Sequence, residues 1–258
     1  GIFRNPLADP TLIGVSSGAA LGASTMIVAG RRWLELEGWA SLLSVPAAAF
    51  LAGLATTWLV YRISIRQGRT AVTTMLLAGI AINALAFSGT GFWTFVADDA
   101  ELRDISFWTL GSLGGASWPR IGVLLLLTGI AGAMAVRAWF ALDALLLGEA
   151  EAEHIGVQTH RVRRRLIACT AAMVGGAVAV SGQIAFVGLV VPHAIRLSVG
   201  PGHRLLLPLA VLGGALILPL ADLVARTSFA PVELPIGIMT AFIGAPFFLY
   251  LLQRGGAR

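Results

Sequence analysis

Long apolar runs recur along this chain and are parted by short polar stretches. The runs cover residues 11–30, 39–61, 71–96, 121–142, 166–181, 205–225 and 236–252. A helix that crosses a bilayer needs about 20 mostly apolar residues, so each run predicts a membrane-spanning helix. A shorter run at 184–199 carries Pro192, His193 and Arg196 and is counted as a further crossing, which makes about eight. Segment 105–118, ISFWTLGSLGGASW, is glycine-rich and aromatic and too short to cross. It suits a broken or re-entrant segment at the interface, where tryptophan is favoured. The pattern predicts an all-α polytopic transmembrane bundle that forms one domain over residues 1–258.

The interruptions carry the polar chemistry. Asn5-Pro6 and Asp9-Pro10 disfavour helix at the start of the chain. The first run is dense in small residues, among them Gly14, Ser17, Gly18, Gly22 and Ala23, which let helices approach closely in lipid. A polar loop follows at 31–38, then a basic loop with Arg62, Arg66 and Arg69, and an acidic loop with Asp98, Asp99, Glu101 and Asp104. The longest interruption is 145–165, LLLGEAEAEHIGVQTHRVRRR. Its first part, 145–156, predicts one short amphipathic helix that ends at Gly156, a natural C-cap. Such a stretch is either a solvated loop whose arginines fix topology or a handle gripped by a soluble partner.

Composition agrees with the run pattern. The chain is 57% hydrophobic and 12% charged, against about 25% charged in soluble domains. The formal charge of +5 comes with no lysine at all. The arginines lie between apolar runs, so they read as topology determinants and not as a nucleic-acid surface. The loops at 62–69, 137–165 and 196–204 and the tail at 254–258 hold most of the arginine and alternate with those at 31–38, 97–104 and 226–233. The first set is therefore expected to be cytoplasmic, the C-terminus with it. The opening GIFRNPLADP lacks the pattern of a cleavable signal peptide. Without lysine the chain cannot build a P-loop, so any ATP-driven step needs an ATPase on another polypeptide.

Other chemistry is thin. Asp222 is the one deep acid, and Arg226 lies four residues on, on the same helix face. An ion-coupled carrier would have to rely on that single carboxylate. Ser181, His193 and Asp222, or Ser88-Gly89, could be strung into a hydrolase, but such serines usually serve packing. His154 with His160, and His193 with His203, lack the spacing of a two-histidine helix site, and Cys169 stands alone, so no metal site is expected. The Gly, Ser, Thr and Asn positions along 79–91 and 175–188 suit either a polar-to-neutral passage or close helix packing.

Several strings together resemble one family. RNPLADPTLIGVSSGAALGA, MLLAGIAIN, WTLGSLGGASW, LGEAEAEHIGV, FVGLVVPHAIRLSVGPGHRLLLP, LADLVAR and ELPIGIMTAFIGAPFFLYLL are similar to the permease subunits of bacterial ABC importers for iron-siderophores, haem and vitamin B12. The match runs in one order from Asn5 to Leu252. Permeases of this family typically have ten helices. By that measure the first helix and most of the second are missing, the end of the second being Gly1 to Arg4.

The resemblance implies roles for particular residues. LGEAEAEHIGV resembles the coupling helices that sit in a cleft of the ATPase, which nominates Gly148, Glu149, Ala152, Glu153 and Gly156. Asn5 and Leu7 resemble one part of a cytoplasmic gate, and Thr73 and Thr74 another. Arg226 resembles an outward arginine that pairs with a glutamate on a binding protein. The implied assembly is two copies of this chain in the bacterial inner membrane, with two ATP-binding-cassette subunits, a periplasmic substrate-binding protein and surrounding lipid. ATP and Mg²⁺ would sit on the ATPase, with no cofactor on this chain and no nucleic acid. The 105–118 segment looks most like haem importers, then siderophore importers, with vitamin B12 last. No set of His, Tyr or Met forms a haem ligand arrangement, so a haem path would work by shape.

Overall fold

A computed structural model describes residues 10–34, 37–66, 69–228 and 233–255. The first run begins with a 3₁₀ turn, Pro10–Ile13, continues as α1 (Val15–Thr25) and ends in a π-helical turn, Met26–Gly30, which leads into the short α2 (Arg31–Trp33). Next come α3 (Gly38–Ser64) and α4 (Val72–Val96), joined by a hairpin of two-residue strands, β1 (Ile65–Arg66) and β2 (Arg69–Thr70). Then follow α5 (Asp99–Leu110), α6 (Trp118–Arg137), α7 (Trp139–Leu147) and α8 (Glu149–His154). The described fold closes with α9 (Thr159–Ser181), α10 (Val187–Val199), α11 (His203–Ser228) and α12 (Ile236–Gly255).

The bundle is all-α, as the run pattern predicts. Five of these helices, α3, α4, α6, α9 and α11, are long and apolar enough to cross a bilayer, and Val15–Gly30, Val187–Val199 and Ile236–Leu249 are shorter apolar helices. Two local expectations are corrected. The acidic stretch is not a loop: Asp98 and Glu101 cap each other's backbone N–H and start α5, a reciprocal arrangement that satisfies orphan donors. Segment 105–118 is broken in two: its first half finishes α5, and a loop then runs to α6. The fourth run breaks after Arg137, so α7 is a separate helix, and the arginines of 161–165 form the first turns of α9.

Helix α1 is the hub. It lies against α3, α4 and α9, and most of its residues are buried. The approach depends on glycine. A Cβ on Gly18 would strike Thr56, one on Gly22 the Ala48 carbonyl, and one on Gly53 of α3 the Val15 carbonyl at 2.8 Å. Small residues spaced four apart let two backbones meet, which is how helices gain dispersion contact where lipid offers no hydrophobic drive. Thr56 then donates to the Gly14 carbonyl at 2.8 Å. At the far end of α1, Arg32 donates to the Val96 carbonyl and to the buried Glu101, each at 3.0 Å. This pins the α4–α5 corner to the end of the first run.

A second close approach gathers three helix ends. Ser112 N–H donates to the Ser181 carbonyl at 2.8 Å. Gly182, with φ 69° and ψ −166°, faces the Trp108 carbonyl so closely that a Cβ would strike it. Gly237, at the start of α12, lies against the carbonyls of Leu110 and Gln183. Just beyond, Phe186 takes φ 65°, a left-handed conformation that bulky side chains rarely adopt, and seats itself over Gly244.

Candidate functional site

A cavity of about 480 Å³ opens between α1, α4, α5 and the α9–α10 linker, within the usual range for ligand pockets. Ser16 and Ser17 of α1, Asn83 and Phe87 of α4, Thr109 of α5, and Gln183 contribute to its walls. Its polar groups are largely tied to one another. Ser17 donates to Asn83 Oδ1 at 2.5 Å, Asn83 Nδ2 to the Thr11 carbonyl at 3.1 Å, and Gln183 Nε2 to the Ser16 carbonyl at 2.9 Å. Thr90 and Thr109 spend their hydroxyl protons on carbonyls four residues back. Among the described lining residues none is charged and none is His, Met, Tyr or Cys. The walls offer shape, aromatic surface and neutral hydrogen bonds.

The two readings of the polar-neutral stretches therefore divide by position. The 79–91 stretch supplies the cavity through Asn83, Ala84, Phe87 and Thr90. In the 175–188 stretch, Gly175 and Gly176 pack against Phe50 and Leu124, and Gln183 alone lines the cavity. Gln183 is reached through the left-handed turn at Gly182, so spacing along a helix could not have pointed to it.

The 145–156 stretch is two helices, not one. Gly148 takes φ 139° and breaks the chain between α7 and α8. The expected C-cap at Gly156 is present: its φ is 89°, and Val157 N–H returns to the Ala152 carbonyl at 2.9 Å. This closes a Schellman motif, with Val157 packed on Ala152. The break changes which residues face outward. Ala152 is completely buried in a cluster with Ala144, Leu145 and Val157. Glu149 is ion-paired with the buried Arg163, and Glu153 accepts from the Thr159 hydroxyl at 2.7 Å. Ala152 thus holds the segment together from within, while Glu149 and Glu153 brace it against α9. The exposed tip carries Ile155, with Leu147 and His154 nearby.

The remaining candidates are scattered. Thr73 and Thr74 lie in the first turn of α4, the former exposed and the latter half-buried. They stand about 15 Å along the helix from Asn83 and do not line the cavity. Asn5 and Leu7 lie outside the described residues. Arg226, near the end of α11, donates from Nε to Asp222 at 2.8 Å, and its Nη1 stands 3.8 Å from Glu233. Of the residues that could be strung into a hydrolase, Ser181 donates to the Ala177 carbonyl and Asp222 is engaged by Arg226.

Comparison with known proteins follows the same outline. The model of the FecCD transport family matches residues 1–254. The hemin transport system permease of Yersinia pestis is 46% identical over 257 residues, covering 98% of this chain and 75% of that protein. The cobalamin import permease of Halobacterium salinarum is 41% identical over 253 residues, 98% of this chain and 66% of that protein. The vitamin B12 import permease of Vibrio cholerae is 38% identical over 258 residues, 98% of this chain and 74% of that protein. Among solved structures, an ABC transporter assigned to the metal-chelate type, in an inward-facing conformation, superposes with a TM-score of 0.86 at 32% identity, over 98% of this chain and 79% of that one.

Proposed function

The chain belongs to the FecCD transport family of ABC-importer permeases, and from that premise we propose that it forms the pathway by which haem crosses the bacterial inner membrane. The observation that supports haem is the 46% identity to a hemin permease, against 41% and 38% to cobalamin and vitamin B12 permeases. The neutral cavity suits this cargo in transit. A wall without iron ligands guides a large flat molecule by shape and releases it, where a histidine or tyrosine on the iron would retain it. Vitamin B12 is the second reading, favoured by those same relatives. It stands nearer than the 105–118 segment suggests. A ferric siderophore is the third.

In the working transporter two copies of this chain face each other across the path, each on an ATP-binding-cassette subunit that holds ATP and Mg²⁺, with a substrate-binding protein on the opposite side. The chain itself binds no cofactor. The arginine-rich loops and the C-terminus face the cytoplasm. ATP closes the ATPase pair, the α7–α8 segment is displaced, and the helices around the cavity change which side they open to. Thr73 and Thr74, with Asn5 and Leu7, serve the cytoplasmic gate.

Uptake into vesicles holding the full-length permease with its ATPase and binding protein tests the reading, with haem, a ferric siderophore and cobalamin offered separately. ATP-dependent accumulation of haem alone is the expected result. Accumulation of cobalamin or siderophore instead overturns the substrate, and uptake driven by a proton gradient without ATP overturns the mechanism. Arg226 is the proposed docking residue. In the free permease Asp222 and Glu233 share its guanidinium, and a carboxylate on the binding protein would take their place. Arg226→Glu is expected to weaken that association about tenfold or more at low salt, less at high salt. An unchanged affinity removes the residue from the interface.

A further inference from the structure

At the start of α11 two neighbouring residues grip α7. The His203 ring and the His203 backbone N–H both point at Asp143 Oδ1, at 2.7 and 2.8 Å. A carboxylate has no proton to give, so the ring nitrogen donates. Asp143 thereby caps the first turn of α11 from another helix, satisfying an orphan donor and setting negative charge at the positive helix end. The His203 side chain is 4% exposed and the Asp143 side chain 31%. One turn back on α7, the Trp139 ring lies 5.9 Å from the Arg204 guanidinium, within cation–π range. Residues 139 and 143 share one face of α7, so the two contacts act as a clamp.

The clamp sits between two mechanical bodies. On one side, Ala144 and Leu145 of α7 share a buried cluster with Ala152 and Val157, so the last turn of α7 and the coupling segment form one packed block. On the other side, α11 runs as one helix from His203 to Ser228, with Pro208 and Pro219 inside it. It carries Arg226 about 35 Å away at its far end. Helix α7 is in contact with both α8 and α11.

We propose that the Asp143–His203 and Trp139–Arg204 clamp is the joint through which displacement of the coupling segment is passed to α11, and so to the docking end at Arg226. Asp143 and Trp139 are then positioning residues for transport. This rests on the ABC-importer reading given above.

The test uses the assembled transporter in proteoliposomes, in a Cys169→Ala background that sustains uptake. An environment-sensitive fluorophore is attached through Gln158→Cys, beside α8, or through Ser228→Cys, at the end of α11. With the clamp intact, ATP changes both signals. Asp143→Ala is expected to keep the signal at 158, lose the signal at 228 and lower substrate moved per ATP hydrolysed by about tenfold, a typical size for coupling between sites. Asp143→Asn, which keeps an acceptor oxygen, restores both readouts. A signal at 228 that survives in Asp143→Ala, or an unchanged transport ratio, overturns the joint. If Asp143→Ala fails to assemble, Trp139→Leu takes its place: it orphans no buried polar group and must still weaken the 228 signal, and an undiminished signal overturns the proposal. If ATP moves neither signal and drives no uptake with the clamp intact, the importer reading itself fails.

Discussion

Gly182→Val is expected to leave little folded permease and little uptake. Its backbone, φ 69° and ψ −166°, lies in a region open essentially to glycine alone, and holding another residue there costs about 1–3 kcal/mol. The added carbon has no room. It would strike the Trp108 carbonyl and come within 3.0 Å of the Gly111 Cα, so backbone and not a flexible side chain must yield. Overpacking of this kind costs about 1–3 kcal/mol more, a large share of the roughly 5–15 kcal/mol that holds a typical protein folded. The damage is functional too, because the same turn presents Gln183 to the cavity. Thermal unfolding of the purified complex measures it. Gly122→Val on α6, where nothing lies within 4 Å of the new carbon, is the reference. A Gly182→Val protein that unfolds within about 2 °C of the reference would show that the three helix ends are not held there.

Ile155→Asp separates coupling from folding. Ile155 is 54% exposed at the turn that closes α8, and it is the one large apolar side chain between Glu149 and Gly156. An anchor of this kind typically contributes about 2 kcal/mol or more when it seats in a partner's pocket. A carboxylate in its place would have to be buried unpaired. ATPase association and ATP-dependent uptake should each fall by more than about tenfold, while the unfolding temperature of the permease stays where it was. Full association by Ile155→Asp would move the contact to another face of the segment, and lost stability would mean that Ile155 packs within the permease.

The sequence made the bundle legible because membrane spans are written as long apolar runs, and eight apolar helices lie where those runs do. Its errors were at breaks made by tertiary contact. The spacing Asp98-x-x-Glu101 is a capping-box signature that the acidity of the stretch masked, whereas nothing nearby announces that Arg32 then holds Glu101 from a distant stretch. Arg137 and Ala138 end α6 inside a run that reads as continuous. The 145–165 stretch stood out by its polarity, and of the five residues named in it Glu149, Glu153 and Gly156 are exposed while Gly148 and Ala152 are buried. A left-handed break at Gly148 turns Ala152 inward and leaves Ile155 at the tip, and no periodicity carries across such a break. Asp143 and His203 are sixty residues apart, so only the fold brings them together.

The π-helical turn at Met26–Gly30 has a consequence for the azimuth of everything after it. A π turn absorbs one residue more than an α turn over nearly the same rise, so it acts as a phase shift of about 100°. Arg32 leaves the helix in the direction of Glu101 and the Val96 carbonyl because that residue has been absorbed. An uninterrupted α-helix of the same length would aim its guanidinium about a quarter-turn away, and the α4–α5 corner would lose its anchor. The extra residue is thus a spacer in angle and not in length, and it times the first span to the one it must hold.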